Sequence, residues 1–152
     1  YLEIYTVIGK NHKGALLTIV ERKSKYTLMQ KLSYKRSRLV ADAAIDLLAP
    51  YQDKVFTITS DNGKEFADHE RISKQLTAKI YFAHPYHSWE RGLNENTNGL
   101  IRQYFPKNTN FKTITVKSVQ NVMDQLNNRP RKTLDYATPN EVFFGKHWRH
   151  AS

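Results

Sequence analysis

The stretch Thr57-Ile58-Thr59-Ser60-Asp61-Asn62-Gly63-Lys64-Glu65-Phe66 decides the reading of this chain. A short β-branched run ends in an acid, and Asn-Gly follows at once, the pattern of a strand that stops and turns. Two-residue alternation puts Val55, Thr57, Thr59 and Asp61 on one face, with Phe56, Ile58 and Ser60 on the other. Asp61 thus closes a strand, where open α/β sheets build their sites. A carboxylate there suits a hard cation such as Mg²⁺ or Mn²⁺. The plainer reading is that Asp61 opens an Asx-type turn.

Working outward, the chain reads as one α/β unit. Toward the amino end, Leu2 to Gly9 is a β-branched strand with Glu3, Tyr5 and Val7 on one face, and Asn11-His12-Lys13-Gly14 is a hairpin turn. Ala15 to Glu21 returns, and Lys25 to Leu32 follows as a third antiparallel strand. Ser37 is a candidate cap for a helix with Val40, Ala43, Ala44, Leu47 and Leu48 inward, stopped by Pro50. That helix makes the Asp61 strand parallel to the first. A short helix over Ala67 to Leu76 leads to a fifth strand, Lys79 to Phe82. Beyond the aperiodic loop from His84 to Gly92, helical spacing returns at Leu93, Leu100, Ile101, Tyr104 and Phe105. It returns again at Val116, Val119, Met123 and Leu126, and Thr138-Pro139 starts a last short helix. The order predicts a mixed five-stranded sheet, three antiparallel strands then two parallel, flanked by helices.

Composition narrows the partner. The 152 residues carry 24 Lys+Arg against 14 Asp+Glu, a formal +10 with pI about 9.8, which favours a polyanion such as nucleic acid. Without cysteine, disulfides and thiolate metal sites are excluded. No apolar run reaches membrane-span length, so no membrane partner is expected, and a reducing cytosol is the default compartment.

The second acid of interest is Glu95, placed in the first turn of a helix, where the dipole favours negative charge. Asn98, Gly99 and Arg102 follow it on its own face, and none is apolar, so that face reads as turned to solvent or ligand. His84 and His87 are three apart, but their loop has no cysteine partners and carries a proline, a poor zinc site. Tyr86 and Trp89 are candidates for base stacking or for packing under the loop. Asn62, Asn94, Asn96 and Asn98 are candidates to orient metal-bound water or sugar-phosphate, and Asn94 and Asn96 are equally candidates for helix capping. Asp68, Glu65 and Glu70 read as solvated first-turn charges, and Arg129-Pro130-Arg131-Lys132 as an exposed basic run.

Three runs carry a resemblance. Thr59 to Phe66, His84-Pro85-Tyr86-His87-Ser88-Trp89-Glu90-Arg91-Gly92, and Asn94-Glu95-Asn96-Thr97-Asn98-Gly99-Leu100-Ile101-Arg102-Gln103-Tyr104-Phe105-Pro106 resemble the DDE transposases of bacterial insertion sequences. The similarity is to the insertion-sequence-thirty group, related to retroviral-integrase catalytic cores. Thr6-Val7-Ile8-Gly9, Gly14 to Leu17 and Arg129-Pro130-Arg131 extend it over nearly the whole chain.

The resemblance implies a ribonuclease-H-like core, residues 1–152, from a transposase whose N-terminal helix-turn-helix region precedes this segment. It implies two divalent metals, Mg²⁺ or Mn²⁺, held by three carboxylates. Asp61 matches the second and Glu95 the third. Its activity is metal-dependent DNA strand cleavage and strand transfer, on transposon ends and target DNA, by a homo-oligomer. Arg102, Asn62, Asn98, His87, Arg91 and Lys64 fall where DNA contacts are expected. One position departs: where the family has its first aspartate, this chain has Tyr5, a phenol that is neutral at pH 7 and a poor Mg²⁺ ligand. Glu3 lies on the same strand face but about 6.6 Å along it, too far to substitute simply. Impaired catalysis is therefore expected. The alternatives are a non-catalytic DNA-binding core and a ribonuclease-H-like nuclease.

Overall fold

A computed structural model describes residues 1–60, 63–83 and 92–145, excepting the side chains of residues 12 and 92–95. The chain forms β1 (Leu2–Ile8), β2 (Ala15–Glu21), β3 (Thr27–Leu32), α1 (Ser37–Leu48), β4 (Thr57–Ser60), α2 (His69–Leu76) and β5 (Lys79–Phe82). Then come α3 (Gly92–Tyr104), α4 (Val116–Asn127) and α5 (Pro139–Phe143). The sheet order is β3-β2-β1-β4-β5. β1–β2 and β2–β3 are antiparallel, and β1–β4 and β4–β5 are parallel. This is the predicted mixed sheet.

Alternation along β1 and β2 splits the core into two layers, one on each side of the sheet. Leu2 and Ile4 of β1, with Ala15, Leu17 and Ile19 of β2, pack under α1 and α2 beside Val40, Ala44, Ile72 and Leu76. Tyr5 and Val7, with Leu16 and Val20, face Ile101 and Phe105 of α3 and Val119, Met123 and Leu126 of α4. β1 is therefore covered on both faces. Position 5 looks toward α3, not toward solvent.

α4 also closes the sheet's β3 edge. The Asn127 side chain accepts from the Thr27 N–H and donates to the Thr27 carbonyl, each at 2.8 Å, and Met123 Sδ accepts from the Met29 N–H at 3.0 Å. Asn127 thus makes the bonds that another strand would make.

Some local expectations change. Arg36, not Ser37, occupies the N-cap of α1, and Ser37 is its first helical residue. α2 begins at His69 rather than Ala67, because a single 3₁₀ turn, Lys64–Phe66, absorbs the preceding residues. Val116 is 76% exposed rather than inward. It is the first residue of α4, before the buried stripe begins. Thr115 and Thr138 each cap their helix with a reciprocal capping box.

Candidate active site

β1 and β4 run side by side with Leu2, Glu3 and Ile4 paired to Ile58, Thr59 and Ser60. Tyr5 is the next residue on β1, and Asp61 the next in the chain after Ser60. Across the other edge of β1, Tyr5 pairs with Thr18 of β2. Asp61 and Asn62 lie outside the described residues, as do His84, Tyr86, His87, Trp89 and Arg91. Glu95 lies in the first turn of α3, and its side chain, like that of Asn94, is outside them too.

Tyr5 is 6% exposed. Burial pushes its phenol well above the ordinary range; interaction with Thr97 of α3 opposes the shift and the nearby Glu3 charge adds to it. Thr97, two residues beyond Glu95, is itself buried, so Tyr5 sits against the first turns of α3. Thr18 is buried opposite; among the described residues its hydroxyl oxygen has no hydrogen-bond partner, and neither has the buried Oδ1 of Asn98. The sequence reading missed Thr97 and Thr18. The hairpin did carry Thr18: strands joined across residues 9–14 with Ile8 opposite Ala15 must set 5 opposite 18.

The metals implied by the resemblance need an anionic oxygen at position 5. Tyr5 does not fit: a phenol whose proton is held by burial offers no charge to a hard divalent cation. Glu3 is buried on the same strand face, two residues away. Among the described residues no group of three His, Cys, Asp or Glu converges as a metal site.

Two residues read as exposed turn inward. Glu65 is 7% exposed: its Oε1 pairs with Lys35 Nζ at 3.2 Å and accepts from the Thr6 hydroxyl at 3.3 Å. A Cβ on Gly63 would fall 2.5 Å from the Glu65 carboxylate, so glycine is what lets the acid fold back. The loop after β4 is thereby tied to β1 next to Tyr5. The expectation of a solvated Glu65 fails because helical position says nothing of a cation 30 residues upstream. Arg102 donates to the Ile8 carbonyl at 2.9 Å and, more weakly, to the Phe105 and Pro106 carbonyls at 3.4 Å. Its guanidinium also lies over the Phe111 ring, and burial lowers its pKa. The polar face of α3 is thus partly an internal contact. Lys64 is exposed on the 3₁₀ turn. In the basic run, Arg131 is half-buried and donates to the Leu126 carbonyl, while Arg129 reaches Gln103.

The transposase for insertion sequence element IS4351 of Bacteroides fragilis is 56% identical over 142 residues, 93% of this chain and 44% of that protein. Transposase InsI for insertion sequence element IS30A of Escherichia coli (strain K12) is 44% identical over 137 residues, 90% of this chain and 36% of that protein. This chain is a homologue of insertion-sequence transposases. It spans less than half the length of these two relatives. No protein-family model matches it. In fold, the homologue matches the catalytic core domain of BIV integrase, with a TM-score of 0.73 at 21% identity over 99% of this chain and 97% of that one. It also matches a simian T-cell lymphotropic virus intasome in complex with PP2A regulatory subunit B56 gamma. There the TM-score is 0.68 at 18% identity, over 93% of this chain and 52% of that one. Its sheet and helices are those of a ribonuclease-H-like integrase core.

Proposed function

We propose that this segment is the catalytic core of an insertion-sequence transposase that binds DNA but is crippled in strand cleavage and strand transfer. The observation that carries the reading is Tyr5, a buried neutral phenol at the position where the resemblance implies an aspartate that would hold the metals. Asp61 and Glu95 are the two acids left for the reaction, with Asn62, Asn98, His87, Arg91, Lys64 and Arg102 as DNA-side candidates. The surplus of basic residues supports binding through phosphates, with steep salt dependence. A bacterial cytoplasmic setting and action as a homo-oligomer on transposon ends and target DNA belong to the same reading. Among the described residues no helix is long and apolar enough to cross a membrane.

The test compares this chain with Tyr5→Asp in Mn²⁺-dependent nicking and strand transfer on labelled terminal-repeat duplexes. Activity gained only by Tyr5→Asp supports the reading. Equal activity in both sinks the role given to position 5. Metal-independent DNA binding with both forms inert favours a purely binding core, a reading consistent with Tyr5 filling the space against α3. Cleavage confined to RNA–DNA hybrids would point to the nuclease.

A further inference from the structure

Three segments, 9–14, 31–38 and 106–115, together carry eight Lys or Arg and no Asp or Glu. The other 128 residues carry 16 basic against 14 acidic residues, so most of the net charge lies in these three short pieces. They are distant in sequence, and the fold joins them. The Lys10 N–H donates to the Thr109 carbonyl at 2.8 Å, and the Phe111 N–H to the Lys13 carbonyl at 3.1 Å. Lys31 Nζ donates to the Lys112 and Ile114 carbonyls at 3.0 and 2.8 Å. Phe111, fully buried beneath Gly9 and Gly14, pins the crossing. Gly14 has φ +77°, and a Cβ there would meet Phe111 at 3.0 Å.

On this rim Tyr34 is 53% exposed, with the Arg36 guanidinium 5.2 Å and the Lys112 ammonium 4.7 Å from its ring centroid. A shared aromatic holds two cations from separate segments at fixed positions, where free side chains would scatter. The rim is also coupled to the Tyr5 site. Lys35 pairs with Glu65, which accepts from Thr6, the neighbour of Tyr5. The amino end of α1 opens into the same surface with no acid in its first turn, adding the positive end of its dipole.

We propose that this rim is a duplex-DNA phosphate track, with Tyr34 organising Arg36 and Lys112 as its central grip. The inference rests on the proposed function and assigns the DNA a path. A second copy of the chain is disfavoured as occupant, because two such surfaces would repel. A track of this kind fixes the DNA's position and carries no base readout.

Fluorescence anisotropy with a labelled 30-base-pair duplex tests it, over a salt series, on the whole chain and on variants whose folding is checked by thermal melting. Arg36→Gln with Lys112→Gln should weaken binding about tenfold and flatten the plot of log affinity against log salt by about two units, roughly 0.9 per lost phosphate contact. Lys74→Gln with Lys132→Gln removes the same charge from other exposed positions and should change affinity less than twofold. Tyr34→Leu keeps every charge and should still weaken binding several-fold. Equal losses in the two charge pairs, or an unaffected Tyr34→Leu, would overturn the proposal while leaving DNA binding intact. Absence of salt-dependent binding by the unaltered chain would overturn the proposed function as well.

Discussion

Arg102 on α3 grips the Ile8 carbonyl at the end of β1, 94 residues away in sequence and 2.9 Å away in space. The bond fixes the helix carrying Glu95 to the strand carrying Tyr5. A residue that resemblance assigns to DNA therefore has a demonstrable internal task. Arg102→Ala removes one good charged hydrogen bond, two long ones and the contact with Phe111. The expected cost is about 2 kcal/mol, seen as a melting temperature lower by roughly 4–8 °C. An unchanged melting temperature with weakened DNA binding would instead make Arg102 a DNA contact alone.

Alkaline pH should expose Tyr5. Its folded pKa is raised above the unfolded value of about 10, so the folded state holds the proton more tightly. That stabilisation is complete below pH 10 and is lost as pH climbs from there toward the folded pKa, by up to about 1.4 kcal/mol per unit. Tyr26 is also raised, by burial and then by its contact with Tyr51, and adds to the same limb. Urea unfolding at pH 9 and 11 should show Tyr5→Phe losing less stability over the interval than the unaltered chain. Parallel losses would mean that the Tyr5 phenol ionises freely.

Gly63 and Glu65 should behave as one unit. Gly63→Ala places a methyl group where the Glu65 carboxylate lies, and the acid, being the free end of a side chain, swings out rather than clashing. Lys35 and Thr6 then lose their partner. Each of Gly63→Ala and Glu65→Gln should cost about 1–2 kcal/mol, and the double variant little more than either. Additive costs in a denaturation cycle would show that Gly63 acts independently of the carboxylate.

Asn127→Leu keeps the branched outline of asparagine, with bulkier methyl groups in place of the amide, but leaves the Thr27 N–H and carbonyl without their buried partners. A loss of about 2–3 kcal/mol is expected, with a rise in light scattering as the β3 edge becomes available to other chains. A variant that melts like the unaltered chain and stays monodisperse would show that α4 covers this edge by packing alone.

The sequence by itself determined the elements and their order. β2 and β5 have the limits that alternation predicts, because a strand's apolar period is a local property. The inward stripe Ile101, Phe105, Val119, Met123 and Leu126 was legible in the same way. So was Tyr5 as the odd residue in an otherwise matching run. Tertiary structure alone decided what the polar residues do. Lys35 and Glu65, Arg102 and Ile8, Thr27 and Asn127, and Arg36 and Lys112 around Tyr34 meet only once the sheet is assembled. Periodicity records which face a residue occupies, since burying apolar surface favours one face whatever lies opposite. A hydrogen bond or ion pair needs a particular atom within about 3 Å, and its position is set by the path of the whole chain.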